Sequence, residues 1–362
     1  MSNLLSFTTV LTYCGYIVVA ILILLLMVLI HELGHYVAGK ILKFKINEFS
    51  VGFGPKLWQK TKKNGEVISL RAFPLGGYCA FEGEAEDGSE SPEAFNNQKP
   101  WKRLIVLFSG AFMNFVSALI IVVIAFSCFG DALPQIVETY PKTGIVQTQE
   151  NSLQAGDTVL EIDGKRIYLA IDISAMIQNA GEVADVLVLR DGEEILLKGV
   201  QKSNYTITNK DGTTSTYYGW GVSLTYAGNE RVKFSFGESI SRSLPYCLRT
   251  AEYVLETLGG LITGIIGIDE IGGPITTIDI TSQVARQGLP NILMLITLIS
   301  VNLAVFNLLP VPSLDGCRMI FVLIEWIRRK PVSRQIEGYI HFIGILLLFG
   351  FVILIDLLKL FG

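Results

Sequence analysis

The chain has 362 residues, half of them hydrophobic and 17% charged, with a mean hydropathy of +0.48, which is too apolar for an ordinary soluble protein and far from a disordered one. A net charge of −4 without a basic block excludes a binder of phosphate backbones, and no nucleic-acid partner is expected. Five cysteines with no C-x-x-C pair exclude a disulfide framework or a cysteine zinc knuckle. The expected class is a polytopic α-helical membrane protein.

Residues 1–39 hold the first apolar segment, Tyr16 to Gly39, longer than the roughly 20 residues that cross a hydrocarbon core. Its run from Ile17 to Ile30 leads directly into His31-Glu-Leu-Gly-His35, and no Lys or Arg precedes Lys40, so it reads as a retained helix rather than a signal peptide. Residues 40–103 read as a cytosolic, membrane-associated β region. Phe49 to Gln59 and Glu66 to Phe73 form a hairpin about Lys63-Asn64-Gly65, and a third run, Tyr78 to Phe81, follows Pro74-Leu-Gly-Gly77. The apolar side chains of these strands fit two readings: a sheet edge that touches or enters the membrane surface, or a small sheet packed on helix ends. Glu82 to Glu93 is an acidic link to the second crossing, residues 104–129.

Residues 130–235 read as an inserted outer α+β domain. Gly156-Asp157 and Asp163-Gly164 are turns around a strand, Ile171 to Asn179 has helical spacing, and Ala184 to Arg190 pairs with Glu194 to Val200 across Asp191-Gly192. Residues 236–288 form an interfacial amphipathic segment, in which Val254 to Ile268 is expected as a short interfacial or re-entrant helix. The third crossing, residues 289–316, ends in Asn307-Leu-Leu-Pro-Val-Pro-Ser-Leu-Asp-Gly316; a loop, residues 317–338, leads to the fourth, residues 339–362. Residues 40–103 carry 11 Lys and Arg and residues 317–338 carry five, which places both in the cytosol and both termini outside, along with the long segment from Gly130 to Gly288.

His31 and His35, at i and i+4, project from one helix face and can bind one zinc ion, with Glu32 beside it as the base for its water. Three ionisable side chains at the end of an apolar helix are costly unless ligated or paired. Zinc needs a third protein ligand. His341 lies in the fourth crossing and reads as ordinary, and Glu48 lies on the β-like loop; Asp315, at the cytosolic end of the third crossing, is the better candidate. Gly76 and Gly77 would let the edge formed by residues 66–81 approach an unwound substrate segment and capture it by strand addition. Two alternatives stand beside a protease: a membrane metal carrier and a catalytically silent scaffold.

The pair His-Glu-Leu-Gly-His at 31–35 and Asn-Leu-Leu-Pro-Val-Pro-Ser-Leu-Asp-Gly at 307–316 resembles the site-2 protease family of intramembrane zinc metalloproteases, specifically its bacterial regulator-of-sigma-E protease type. Gly110-Ala-Phe-Met-Asn114 and Gly272-Gly-Pro274 extend the likeness, and Gln154 to Ile167 resembles the PDZ fold, in one unit where some relatives have two. The resemblance implies that His31, His35 and Asp315 are zinc ligands, that Glu32 is the catalytic base and acid, and that Asn307 and Asn114 hold the substrate. It also implies a multi-pass protein of the bacterial cytoplasmic membrane whose site, near the cytosolic face, cuts transmembrane segments of single-pass proteins, such as an anti-sigma factor or a signal-peptide remnant.

Overall fold

The computed structural model describes residues 7–84, 91–140, 152–208, 213–225, 231–267 and 274–361. In chain order it runs α1 (Phe7–Ile41), β1 (Ile46–Thr61), β2 (Val67–Phe81), α2 (Pro100–Phe129), β3 (Gln135–Thr139), β4 (Thr158–Ile162), β5 (Lys165–Arg166) and α3 (Asp172–Asn179). There follow β6 (Val183–Arg190), β7 (Glu193–Gln201), β8 (Ser203–Thr208), β9 (Thr214–Gly219) and β10 (Val222–Thr225). The remainder is helical: α4 (Phe236–Thr263), α5 (Pro274–Arg286), α6 (Leu289–Leu308), α7 (Asp315–Arg328) and α8 (Arg334–Phe361). The chain divides into two compact units, Met1–Val122 with Thr250–Gly362, and Val123–Arg249.

In the first unit, three helices are long and apolar enough to cross a membrane: α1 over Ile17–Ile41, α2 and α6. The segment expected as a fourth crossing lies within α8, whose apolar stretch among the described residues is the shorter Gln335–Leu347. The expected hairpin is present, but β2 runs unbroken through Pro74-Leu-Gly-Gly77 as one strand, antiparallel to β1 with bulges along the pairing. An irregular pairing absorbs the proline that a regular inner ladder would reject. The two halves of this hairpin differ. Near its base, Ile46 and Phe81 are buried, with Phe44 and Phe95, on a core that includes Val106 of α2. Farther out, Phe53, Leu57, Trp58 and Phe73 stand exposed.

Two further expectations are revised. Val254 to Ile268 is not a separate short helix: through Thr263 it is the tail of α4, a 28-residue helix that carries Pro245 in its interior. Ser235 and Glu238 close a reciprocal capping box at its start, with Ser235 N–H donating to Glu238 Oε2 at 2.8 Å. The loop 317–338 begins inside α7, an amphipathic helix that opens at Asp315. The Gly272-Gly pair and the middle of the acidic link lie outside the described residues.

The second unit contains an antiparallel sheet in the order β10-β3-β4-β6-β7, with β5 beside β4, and a separate β8–β9 hairpin. Ile136, Val159, Ile173, Val188 and Trp220 are among the residues that close its core. Asp191 and Gly192 both take positive φ, as the predicted hairpin turn demands. Asp157 is buried and accepts two hydrogen bonds from the Arg190 guanidinium at 2.7 and 2.8 Å.

Candidate metal centre

The first half of the centre comes from α1. His31 and His35 lie one turn apart and both are buried, their rings edge to face with centroids 4.7 Å apart. This face meets α2 at close range because the touching positions lack side chains. A Cβ on Gly34 would overlap the Ser109 carbonyl, and one on Gly110 would lie 2.6 Å from both His31 Cε1 and His35 Nε2. The close approach lets His35 Nδ1–H donate to the Val106 carbonyl of α2 at 2.7 Å. A carbonyl can only accept, so the proton sits on Nδ1 and Nε2 keeps its lone pair.

The second half comes from the break after α6. Pro310 and Pro312 cannot continue the helix, α6 ends at Leu308, and Leu314 caps α7 so that Asp315 is its first residue. Asp315 Oδ2 stands 3.0 Å from His31 Nε2 and 3.2 Å from His35 Nε2, and the two nitrogens are 3.1 Å apart. A proton bridges only one pair of these atoms, whereas a cation satisfies all three. Zinc bonds of about 2.0–2.1 Å at tetrahedral angles put neighbouring ligand atoms about 3.3 Å apart, close to the separations here. Two imidazoles and one carboxylate also leave a fourth position open for water or substrate. The donor set therefore fits zinc, and among the described residues it is the one group of His, Cys, Asp and Glu placed to share an ion.

Glu32 faces β2, where its Oε2 accepts the Cys79 backbone N–H at 3.0 Å. Glu32, His31, His35 and Asp315 all line a cavity of about 750 Å³, with Tyr78 to Phe81 of β2 on one side and Asn307, Arg318 and His341 on others. Asn307 Nδ2 lies 3.5 Å from His31 Nδ1, which places this side chain against the ring nitrogen that faces away from Asp315. The other predicted site residues are placed elsewhere. Asn114 is fully buried on α2, where its backbone carbonyl accepts from Ser117 and Ser300 at 2.8 and 2.7 Å, and it does not line the cavity. Gly76 and Gly77 do not line it either: the approach Gly77 permits is that of β1 and α1, since a Cβ there would lie 2.6 Å from the Ser50 carbonyl and 3.1 Å from Leu29. Glu48 is held by Ser69 at 2.6 Å and Arg71 at 2.9 Å within the hairpin.

The structure adds contacts that the sequence reading did not assign. Arg318 of α7 pairs with Glu84, just past β2, and both line the cavity. Ser313 donates its backbone N–H to His341 Nδ1 at 2.8 Å and its hydroxyl to the His341 carbonyl at 3.1 Å. Beyond His35, the next turn of α1 sends Tyr36 and Lys40 to the buried Glu66, which Lys62 and Asn64 also contact. Burial pushes the Glu66 carboxyl up, but the hydrogen bonds from Lys40, Lys62, Tyr36 and Asn64 outweigh it and hold the group down at about 2.

The model of peptidase family M50 matches residues 19–351. A protein of Fusobacterium nucleatum is 33% identical over 357 residues, covering 95% of this chain and 99% of its own length. One from Clostridium perfringens is 33% identical over 350 residues, covering 94% and 97%, and one from Agrobacterium fabrum is 30% identical over 375 residues, covering 98% and 97%. All three bear the name "Putative zinc metalloprotease".

Proposed function

The chain belongs to peptidase family M50, the site-2 protease family of zinc metalloproteases, and we propose that it hydrolyses peptide bonds within the transmembrane segments of single-pass membrane proteins. The observation that carries the reading is the convergence of His31, His35 and Asp315, with Glu32 adjacent, at the end of a helix long and apolar enough to cross a bilayer. In this reading His31, His35 and Asp315 hold the metal. Zinc bound there supplies Lewis acidity, polarising the scissile carbonyl and acidifying water.

Glu32 takes the proton of the attacking water and delivers it to the leaving amine. The Cys79 N–H holds one of its carboxylate oxygens and leaves the other for that transfer. Substrate helices hide their peptide bonds in i to i−4 hydrogen bonds, so the segment unwinds before cleavage. The stretch Tyr78 to Phe81, which borders the cavity beside Glu32, is placed to receive the opened strand by β-addition, a shift of the capture edge past Gly76 and Gly77. Asn307 orders this wall, and the exposed apolar half of the hairpin suits contact with the membrane surface.

The Lys and Arg distribution supports a cytosolic placing of residues 40–103 and 317–338 in a bacterial inner membrane, with α8 as a fourth crossing and both termini outside. The order of turn, β4, β5, α3, β6 and β7 supports a PDZ-like reading of the second unit as a docking or size-limiting element for substrates such as a shortened anti-sigma factor or signal-peptide remnant. The test is cleavage of a tagged single-pass substrate in reconstituted bilayers. Wild type is expected to cleave and bind one zinc, Glu32→Gln to keep zinc and lose roughly 10²–10⁴-fold in rate, and Asp315→Asn to lose zinc. Zinc transport into vesicles that persists in Glu32→Gln, with no cleavage by wild type, would replace this reading with a carrier.

A further inference from the structure

One polar side chain of the cavity wall that the mechanism does not use is His341. His341 comes from α8, and α8 closes on the turn that carries Asp315 at two points. Gly344 packs so tightly on Pro312 that a Cβ there would overlap the proline ring, and His341 receives the Ser313 backbone N–H at its Nδ1. Ser313 has a φ of 82°, a conformation a non-glycine residue keeps only when its surroundings hold it. Its N–H and hydroxyl bonds to His341 supply that hold.

This contact also determines where the imidazole proton goes. An amide N–H can only donate, so Nδ1 is the acceptor and the neutral ring carries its hydrogen on Nε2. Nε2 is buried and has no hydrogen-bond partner among the described residues; Glu337 Oε1, one turn earlier on α8, is 3.9 Å away, beyond hydrogen-bond range. A buried donor without a partner is costly unless it serves another state of the molecule. Two neighbouring donors on the wall are engaged, the Cys79 N–H by Glu32 and the Arg318 guanidinium by Glu84. An unwound transmembrane segment brings into the cavity backbone carbonyls that have lost their helical partners and need new donors.

We propose that His341 Nε2–H donates a hydrogen bond to a backbone carbonyl of the unwound substrate, making His341 a substrate-binding residue fixed in its donor tautomer by Ser313. The inference rests on the peptidase reading above. Two amides separate its roles: in His341→Asn the side-chain oxygen replaces Nδ1 as acceptor for Ser313 and the outer donor is lost, whereas His341→Gln restores a donor near Nε2 and gives up the Ser313 contact. Binding of a fluorescent transmembrane-segment peptide is measured by anisotropy for Glu32→Gln and for the Glu32→Gln, His341→Asn double variant, together with zinc content and thermal unfolding.

The expected result is wild-type zinc content and unfolding for His341→Asn, with the peptide Kd raised roughly fivefold to tenfold, the size of one hydrogen bond. The Gln variant is expected to bind peptide better than the Asn variant. Equal Kd values with and without His341→Asn would overturn the proposal, as would a fall in zinc content that accounts for the lost affinity, which would make His341 a support for the Asp315 turn alone. Failure of wild type to cleave any segment would instead count against the peptidase reading, while the Kd comparison still decides the role of His341.

Discussion

One turn of α1 separates two polar clusters that follow opposite rules. His31 and His35 turn towards Asp315, whose buried Oδ2 stands 3.0 and 3.2 Å from their Nε2 atoms, so that three potential ligand atoms face one another across about 3 Å. Tyr36 and Lys40 turn towards Glu66, which gathers donors from four side chains. The second cluster is closed: its carboxylate is matched by two lysines and receives donors on both oxygens, and it ties the β1–β2 hairpin to the end of the helix. The first is open, and only a cation completes it. Saturation by the protein's own donors therefore separates the polar group that builds the fold from the one proposed to hold the metal, where burial alone does not.

The sharpest way to break this contrast is to disturb the open cluster without touching a ligand. Gly110→Ala places a methyl group 2.6 Å from both imidazoles, which must move. Zinc affinity is expected to fall on the order of 10- to 100-fold, as for loss of a partner that orients a ligand, and chelator competition measures it. Unchanged affinity would mean that the rings tolerate displacement and that the geometry around Asp315 is not held by the α1–α2 contact.

Glu66→Gln should do the reverse. It removes the charge at the middle of the closed network and is expected to cost about 1–3 kcal/mol of stability, read as lower thermal unfolding, with zinc content unchanged. A drop in zinc matching that of Asp315→Asn would join the two clusters into one and end the distinction. Acid sharpens the same test. Because the Glu66 carboxyl is held at about 2 against an ordinary 4.5, its stabilisation is full above pH 4.5 and is lost as pH falls towards 2. The Glu66→Gln variant should lack that part of the acid sensitivity, and its stability curve should be flatter over that window.

The open cluster was the more legible of the two in the sequence. His31, Glu32 and His35 are fixed by helical spacing, and Asp315 by a Pro-Val-Pro break that only an irregular, polar-lined region tolerates at membrane depth. Residues whose meaning depends on distant partners were not legible. His341 reads as one polar residue on an apolar helix until Ser313 is brought against it, and Glu84 reads as part of an acidic link until Arg318 meets it. The run of β2 through Pro74-Leu-Gly-Gly77 was hidden because those residues normally punctuate strands; here they fall at a shift in the register, between Phe73, which pairs with Phe53, and Gly77, which pairs with Val51. The length of α4 was not legible: the expected short helix began at Val254, whereas the helix starts at the Ser235–Glu238 capping box and runs on through Pro245.

The comparison extends to the second unit in its smallest predicted effect. Asp131 is buried like Glu66 but poorly served: one carboxylate oxygen has no hydrogen-bond partner among the described residues. Burial pushes its pKa up to about 6, with Arg242 and the Ala132 backbone N–H opposing the rise. The folded protein therefore binds this proton more tightly than the unfolded chain, and stability falls as pH rises from 3.8 to about 6. Asp131→Asn keeps the shape and removes the charge, so it should stabilise the protein above pH 6, by about 1 kcal/mol once the lost attraction to Arg242 is set against the relieved burial. The gap between variant and wild type should close as pH falls through 6 to below 3.8, where the wild-type carboxyl is neutral in both states. A gap that instead widened on acidification would mean that Arg242 fully neutralises Asp131, which would make it a closed site like Glu66 despite its unpartnered oxygen.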